Sequence, residues 1–219
     1  MPTHHPLYPV YLNLAKQKCL VVGGGHVALR KIEGLLDCDA QVFAVAPHFV
    51  HEIEELATKY KSGLGLAYRP YNSSDIEGMA LVVSATGNPD IDNIVFEDAS
   101  NANIWINCAD DPRYCSFILP AIARKGPITV AVSTEGNSPA VATWLKDSIS
   151  HFLGEYLEEL INLVSRARSE IKLSGIPTES LDWRSLIENE LVRRLQSGDI
   201  KGAKEALNSW LMSHGANSI

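Results

Sequence analysis

The chain has 219 residues, longer than the usual single domain, so one domain with an appendage is expected. Hydrophobic residues make up 46% and charged residues 21%, the make-up of an ordinary soluble globular protein with a real core. A formal net charge of -7 argues against a nucleic-acid binder, which would show a basic face. Cys19, Cys38, Cys108 and Cys115 have no CxxC spacing, so neither a zinc cage nor a disulfide framework is expected. No apolar stretch reaches membrane-spanning length and no basic-plus-apolar leader opens the chain, so the expected setting is a reducing cytoplasm. His4-His5 reads as part of a tail rather than as a metal site.

Five apolar runs alternate with helical patterns through the first half. CLVVG (19–23) is the first strand, and Ala28, Ile32, Leu35 and Leu36 follow at helical spacing. QVFAVA (41–46) precedes a helix carrying Ile53, Leu56 and Tyr60. LGLAYRP (64–70), ALVVSA (80–85) and IWIN (104–107) complete the set, with a helix over about 90–100 between the last two. Continuous apolar strands alternating with amphipathic helices predict an α/β fold, a Rossmann-like doubly wound parallel sheet. The ligand site of such a sheet lies beyond the carboxyl ends of its strands.

The pattern changes after Pro112. FILPAIARKGPITVAVS (117–133) is two apolar runs joined at Lys125-Gly126-Pro127, which predicts an antiparallel hairpin. Ser138 is a good helix cap before Pro139, and Val141, Leu145, Ile149 and Phe152 form the expected apolar stripe of the next helix. From Glu155 onward the pattern is helical. Leu157, Leu160, Ile161, Val164 and Ile171 mark one helix, Leu186, Ile187, Leu191 and Leu195 the next, and Ile200, Ala203, Leu207, Trp210 and Leu211 the last. The breaks fall at Gly175-Ile176-Pro177 and Ser197-Gly198-Asp199. The expected divisions are 1–113 for the sheet domain, 114–150 for a dimerisation region and 151–219 for a helical domain. The hairpin with its helix is too small to stand alone comfortably, so pairing with a second copy is expected.

VVGGGHVALRK places Gly23-x-Gly25-x-x-Ala28 between the first strand and first helix. Gly23 permits the tight turn, Gly25 lets a pyrophosphate approach the backbone, and Ala28 lets helix and strand pack closely. The free N–H groups at the helix start then face the phosphates of a dinucleotide. The carboxylate that holds the adenosine ribose about 20 residues on is missing, since the second strand ends Val45-Ala46-Pro47-His48. Asp39 lies at the wrong end of that strand, and no arginine is placed to clamp a 2′-phosphate, so NAD is favoured over NADP by default.

NCADDPRYCSF (107–117) follows the fifth strand and sets Asp110 and Asp111 ahead of Pro112. Asp-Asp-Pro is good turn chemistry without any function. Yet Asp110 emerges on the same sheet edge as the glycine loop and as SATGNPD (84–90), which brings it to the crevice of a nicotinamide ring. It is therefore a candidate general base, with the turn or cap role as the alternative. Asp111 reads as turn scaffold because Pro112 follows directly.

Together, GGGHVALRK (23–31), NCADDPRYCSFILPA (107–121) and VAVSTEGNSPAVA (130–142) resemble the precorrin-2 dehydrogenase family, the sirohydrochlorin-forming part of sirohaem synthesis. The resemblance covers about residues 6–150. No carboxyl-terminal methyltransferase domain is expected, as in the stand-alone type. The resemblance implies oxidation of the tetrapyrrole precorrin-2 to sirohydrochlorin with NAD, by a homodimer whose hairpin regions cross between subunits. It implies Asp110 as the catalytic residue of the family's Asn-x-x-Asp motif, which begins at Asn107. It implies cofactor contacts at Gly23, Gly24, Gly25, His26, Val27, Pro47 and His48, with Ser84 and Thr86 opening beside them. A family serine that can be phosphorylated corresponds here to Thr134. The substrate carries many carboxylates, so Arg113, Arg124, Lys125 and Lys146 are candidate anchors, with Ser133, Thr134, Asn137 and Ser138 offering hydrogen bonds.

Two rival readings remain. A bifunctional dehydrogenase and sirohydrochlorin ferrochelatase would use Asp110 twice; His26, His48 and His51 form no ligand cluster at metal spacing. A non-catalytic NAD-sensing module would share the glycine loop but has no need of residues 107–117.

Overall fold

The computed structural model of the protein describes residues 6–218, so His4 and His5 lie outside the described residues. The chain divides into two compact units. One contains the residues through Leu119 together with Glu135–Asn137; the other contains Pro120–Thr134 and the residues from Ser138 onward.

The first unit is a five-stranded parallel sheet. Its strands are β1 (Lys18–Val22), β2 (Gln41–Ala46), β3 (Leu64–Tyr68), β4 (Leu81–Ser84) and β5 (Trp105–Cys108), in the order β3-β2-β1-β4-β5. The chain runs outward from β1 to β3 and then returns to β4 on the other side of β1, so the crevice at the topological switch point lies between β1 and β4. Helices α1 (His26–Leu36), α2 (His51–Lys59) and α3 (Pro89–Asn101) connect the strands. Alternation within β1 sends Cys19 and Val21 into one core cluster with Ala28, Ile32, Leu35, Leu36 and Ile53, and sends Leu20 and Val22 into another with Val82, Val95, Ala99 and Ile106. Both faces of the sheet are thus covered, which is why its strands read as unbroken apolar runs. In α1 the four buried residues recur at positions i, i+4, i+7 and i+8, and each large one contributes roughly 1.5–3 kcal/mol by leaving water.

In the second unit β6 (Ala121–Lys125) and β7 (Ile128–Val132) form the antiparallel hairpin, turning at Gly126 with φ +51°, and α4 (Pro139–Phe152) packs on it. The expected stripe of α4 is covered only in its middle. Leu145 and Ile149 are half-buried, Val141 is 44% and Phe152 76% exposed, and Ala142 is the buried residue of the helix. Two strands are too narrow to cover a whole helical stripe, so α4 approaches them through its small residue.

The helical remainder comprises α5 (Tyr156–Leu173), the short α6 (Trp183–Ser185), a π-helical turn over Leu186–Leu191, α7 (Val192–Gln196) and α8 (Ile200–Ser213). Leu163, Ala167, Ile171, Leu186, Leu191, Leu207 and Leu211 form its own core. Gly175 and Gly198 sit at φ +72° and +80° just past the ends of α5 and α7, and Asp199 caps α8 at the Gly202 N–H. The π-helical turn was not expected from the sequence. Among the described residues no helix is long and apolar enough to cross a membrane, and no group of His, Cys, Asp or Glu side chains is placed to hold a metal ion.

Candidate active site

The glycine loop is held by its neighbours on both sides. The Gly23 N–H donates to the Val45 carbonyl at 3.0 Å, and the Val50 N–H donates to the Gly24 carbonyl at 2.8 Å. Gly23 has φ +131°, and a Cβ there would lie 2.2 Å from the Ala85 carbonyl oxygen. A Cβ at Gly24 would lie 1.9 Å from the His48 carbonyl oxygen. Both residues are therefore required by the protein's own packing. Gly25 differs: a Cβ there would meet nothing within 4 Å, so its side opens to free space.

Gly25 is the N-cap of α1 and offers no side chain to it, and the first turn carries no acidic residue. The first intrahelical bond is the Leu29 N–H to the Gly25 carbonyl at 3.0 Å, so the N–H groups of His26, Val27 and Ala28 precede it. An open surface over an uncapped helix start fits a dinucleotide pyrophosphate. Pro47 and His48 are exposed at the end of β2, and the first turn of α2 carries Glu52 and Glu54. Between Pro47 and Thr58 the chain carries no lysine or arginine to meet a 2′-phosphate.

The loop after β4 is organised from beneath. The Ser84 hydroxyl donates to Asp92 Oδ1 at 2.6 Å and the Thr86 hydroxyl to the same oxygen at 2.7 Å. Ser84 is fully buried, so its side chain is committed to Asp92 rather than turned to the crest. Thr86 Oγ1 also accepts the Asn88 N–H at 3.0 Å. Asn88 in turn caps α3, accepting from the Asp90 N–H at 3.0 Å.

Beyond β5 the two aspartates part company. Asp111 accepts the Arg113 N–H at 2.9 Å, starting a short 3₁₀ turn, and meets the Arg113 guanidinium from Nε at 3.0 Å and from Nη2 at 2.5 Å. That guanidinium, and the N–H bond after it, hold the Asp111 carboxyl below the usual carboxylate range. Asp111 is turn scaffold, as expected, and it occupies the face of Arg113 offered as a substrate anchor. Asp110 is exposed, and its carboxylate makes no hydrogen bond or ion pair among the described residues.

Asn107 is 6% exposed, and its amide donates to the Phe117 carbonyl at 3.1 Å, so it braces the returning loop. Cys115 Sγ receives the Cys108 N–H at 3.1 Å, and burial pushes its thiol pKa up. Lys31 on α1, within the glycine motif, is half-buried; burial, then the charge of Arg30, lower its pKa, and Cys115 and Asp110 oppose this.

In the second unit Arg124 is exposed and makes no ion pair among the described residues. Lys125 pairs with Glu155 and Lys146 with Asp147. The Thr134 hydroxyl donates to the Ser138 carbonyl and accepts the Ser138 N–H, both at 3.0 Å, while Ser138 Oγ caps α4 at the Val141 N–H. Ser133 is exposed, as is Asn137 of the first unit. Asp92 had no sequence signal, because an acidic residue in the first turn of a helix ordinarily needs only the helix dipole to explain it.

Residues 10–121 match the family described as putative NAD(P)-binding, and residues 125–151 match the sirohaem biosynthesis protein central family. The siroheme synthase of Pseudoalteromonas translucida is 33% identical over 205 residues, covering 93% of this chain and 43% of the relative. That of Thioalkalivibrio sulfidiphilus is 34% identical over 207 residues, covering 93% of this chain and 42% of the relative. The chain thus spans less than half the length of these curated relatives. A solved structure described as SirC, precorrin-2 dehydrogenase, superposes with a TM-score of 0.74 at 23% identity, covering 93% of this chain and all of that one, and shares the fold. With the first of these matches taking in more than half of its residues, the chain belongs to the putative NAD(P)-binding family and carries a sirohaem-biosynthesis central segment directly behind that domain.

Proposed function

We propose that the protein is an NAD-dependent oxidoreductase that converts precorrin-2 to sirohydrochlorin in sirohaem biosynthesis. The observation that carries this reading is Asp110, an exposed carboxylate with no hydrogen bond or ion pair among the described residues, two residues beyond β5 on the sheet edge that bears the Gly23–Gly25 loop. The siroheme synthases among its relatives, and the precorrin-2 dehydrogenase sharing its fold, supply the substrate class.

NAD, when bound, accepts the hydride. The backbone N–H groups of His26 and Val27 would hold its pyrophosphate, with Gly25 leaving room for it. Pro47 and His48, exposed past β2, would border the adenosine end. Asp110 removes the proton that leaves with the hydride, a task for which a carboxylate free of internal partners is suited. In the second unit Arg124, which makes no ion pair among the described residues, is the candidate anchor for a substrate carboxylate.

The hairpin and α4 are read as the dimerisation region. Ile122, Val141, Trp144 and Phe152 are 43%, 44%, 64% and 76% exposed there, while its buried apolar residues are Ala123 and Ala142. An apolar surface with so small a core of its own suits burial against a second copy. The four cysteines are free, which suits a reducing cytoplasm.

The test supplies precorrin-2 and NAD and follows NADH formation. Asp110→Asn should abolish turnover while NAD affinity stays within about twofold, because an amide cannot accept the proton. Wild-type turnover in that variant would remove Asp110 from the chemistry. Cobalt insertion into sirohydrochlorin without NAD is the parallel assay for a chelatase activity.

A further inference from the structure

Asp92 is a carboxylate that the proposed chemistry does not use, and it is only 3% exposed. Burying a charge is expensive unless donors replace its water. No lysine or arginine pairs with it among the described residues; its side-chain partners are two neutral hydroxyls. Those of Ser84 and Thr86 donate to Oδ1 at 2.6 and 2.7 Å. The first turn of α3 adds the favourable end of the helix dipole.

Ser84 ends β4, where it is in register with Cys108 at the end of β5. One branch runs to the cofactor loop. Thr86 Oγ1, fixed by Asp92, accepts the Asn88 N–H, and the Ala85–Thr86 backbone is the wall against which Gly23 packs. The other branch runs to the proposed base: Ser84, whose hydroxyl is held by Asp92, accepts the Ala109 N–H through its carbonyl at 2.9 Å, one residue before Asp110.

We infer that Asp92 is a positioning residue that clamps the glycine loop's wall and the Asp110 turn to one buried point. The inference rests on reading the glycine loop as the NAD site and Asp110 as the base. Asp92 touches neither substrate nor cofactor; it sets the distance between the two loops that do.

The test uses the full chain with Asp92→Ala, Asp92→Asn and Ser84→Ala, measuring NAD affinity, kcat and KM, and amide exchange without any ligand. Asp92→Ala should weaken NAD binding and lower kcat, each by about tenfold or more, since small misplacements at a reacting centre are costly. Asp92→Asn keeps an oxygen acceptor for both hydroxyls and should restore both quantities to within about threefold. Exchange should accelerate at 85–88 and 108–111 in the alanine variant and not across the remaining sheet. Ser84 is fully buried and cannot touch a ligand, so a loss of NAD affinity in Ser84→Ala reports positioning alone. Wild-type affinity, kcat and exchange in a folded Asp92→Ala protein would overturn the inference. Should that variant not fold, wild-type values in Ser84→Ala would do the same. If the unaltered protein binds no NAD, the proposed function fails, while the exchange data still decide whether Asp92 holds the two loops.

Discussion

Alanine placed at Gly24 and, separately, at Gly25 should produce opposite defects. At Gly24 the new methyl would sit 1.9 Å from the His48 carbonyl oxygen and 3.0 Å from the Ala46 Cβ. Neither the backbone oxygen nor the strand that carries it yields easily, because the Val50 N–H to Gly24 carbonyl bond ties the two segments together at 2.8 Å. Overpacking of this kind costs roughly 1–3 kcal/mol, a fall in melting temperature of about 3–10 °C for a unit of this size. At Gly25 the methyl meets nothing within 4 Å, and the backbone, at φ -91° and ψ -175°, is open to any residue. Its stability change should stay within about 1 kcal/mol, the lost cap preference being offset by lower unfolded-state entropy. The same methyl projects into the space over the start of α1. Loss of even one charge-assisted N–H bond to a pyrophosphate, about 1.5–3 kcal/mol, weakens NAD binding by about 10- to 150-fold. Thermal unfolding and NAD titration of both variants separate the effects. The reasoning fails if Gly25→Ala binds NAD as the wild type does, or if Gly24→Ala melts at the wild-type temperature.

Trp144→Glu adds a charge to the exposed apolar face of α4 and should convert a dimer to a monomer, read by light scattering at fixed concentration; a wild-type mass would show that this face is not the interface. The Arg69 guanidinium bonds Asp75 at 2.8 and 2.6 Å and is the first cause holding that carboxyl below its ordinary value. A depressed carboxyl contributes stability above its unfolded pKa of about 4 and loses it as pH falls through the folded value. Arg69→Met should therefore lower the melting temperature at pH 7 and cost less near pH 3, whereas an equal loss at both would contradict this pairing. Cys19 is fully buried and its thiol is pushed up to about 11 by burial and then by Cys38, so it should resist alkylation in the folded protein near pH 8 and react once unfolded, as read by mass spectrometry.

Much of the sheet was legible because each of its causes is local. The runs CLVVG, QVFAVA and ALVVSA are strands because both their faces are covered, and that leaves an unbroken apolar signature in a single segment. The cap Ser138 and the breaks past α5 and α7 are likewise decided within four or five residues. The stripe on α4 misled because apolar spacing shows which face a helix offers, not how much of it a two-stranded hairpin can cover. The role of Gly24 was hidden for a similar reason: the atom that excludes a side chain there belongs to His48, in another strand's loop.

What the residues determined alone is therefore the alternation of elements, the glycine turn and the presence of two carboxylates after the fifth strand. Asp111 already read as turn scaffold from the proline behind it; only the tertiary structure supplied the partners of these polar groups. Arg113 takes Asp111 and leaves Asp110 exposed, and Ser84 and Thr86 turn to Asp92 rather than outward. Periodicity is a property of neighbours in the chain, whereas the partner of a polar group depends on which strand ends the sheet brings side by side, and no single segment records that.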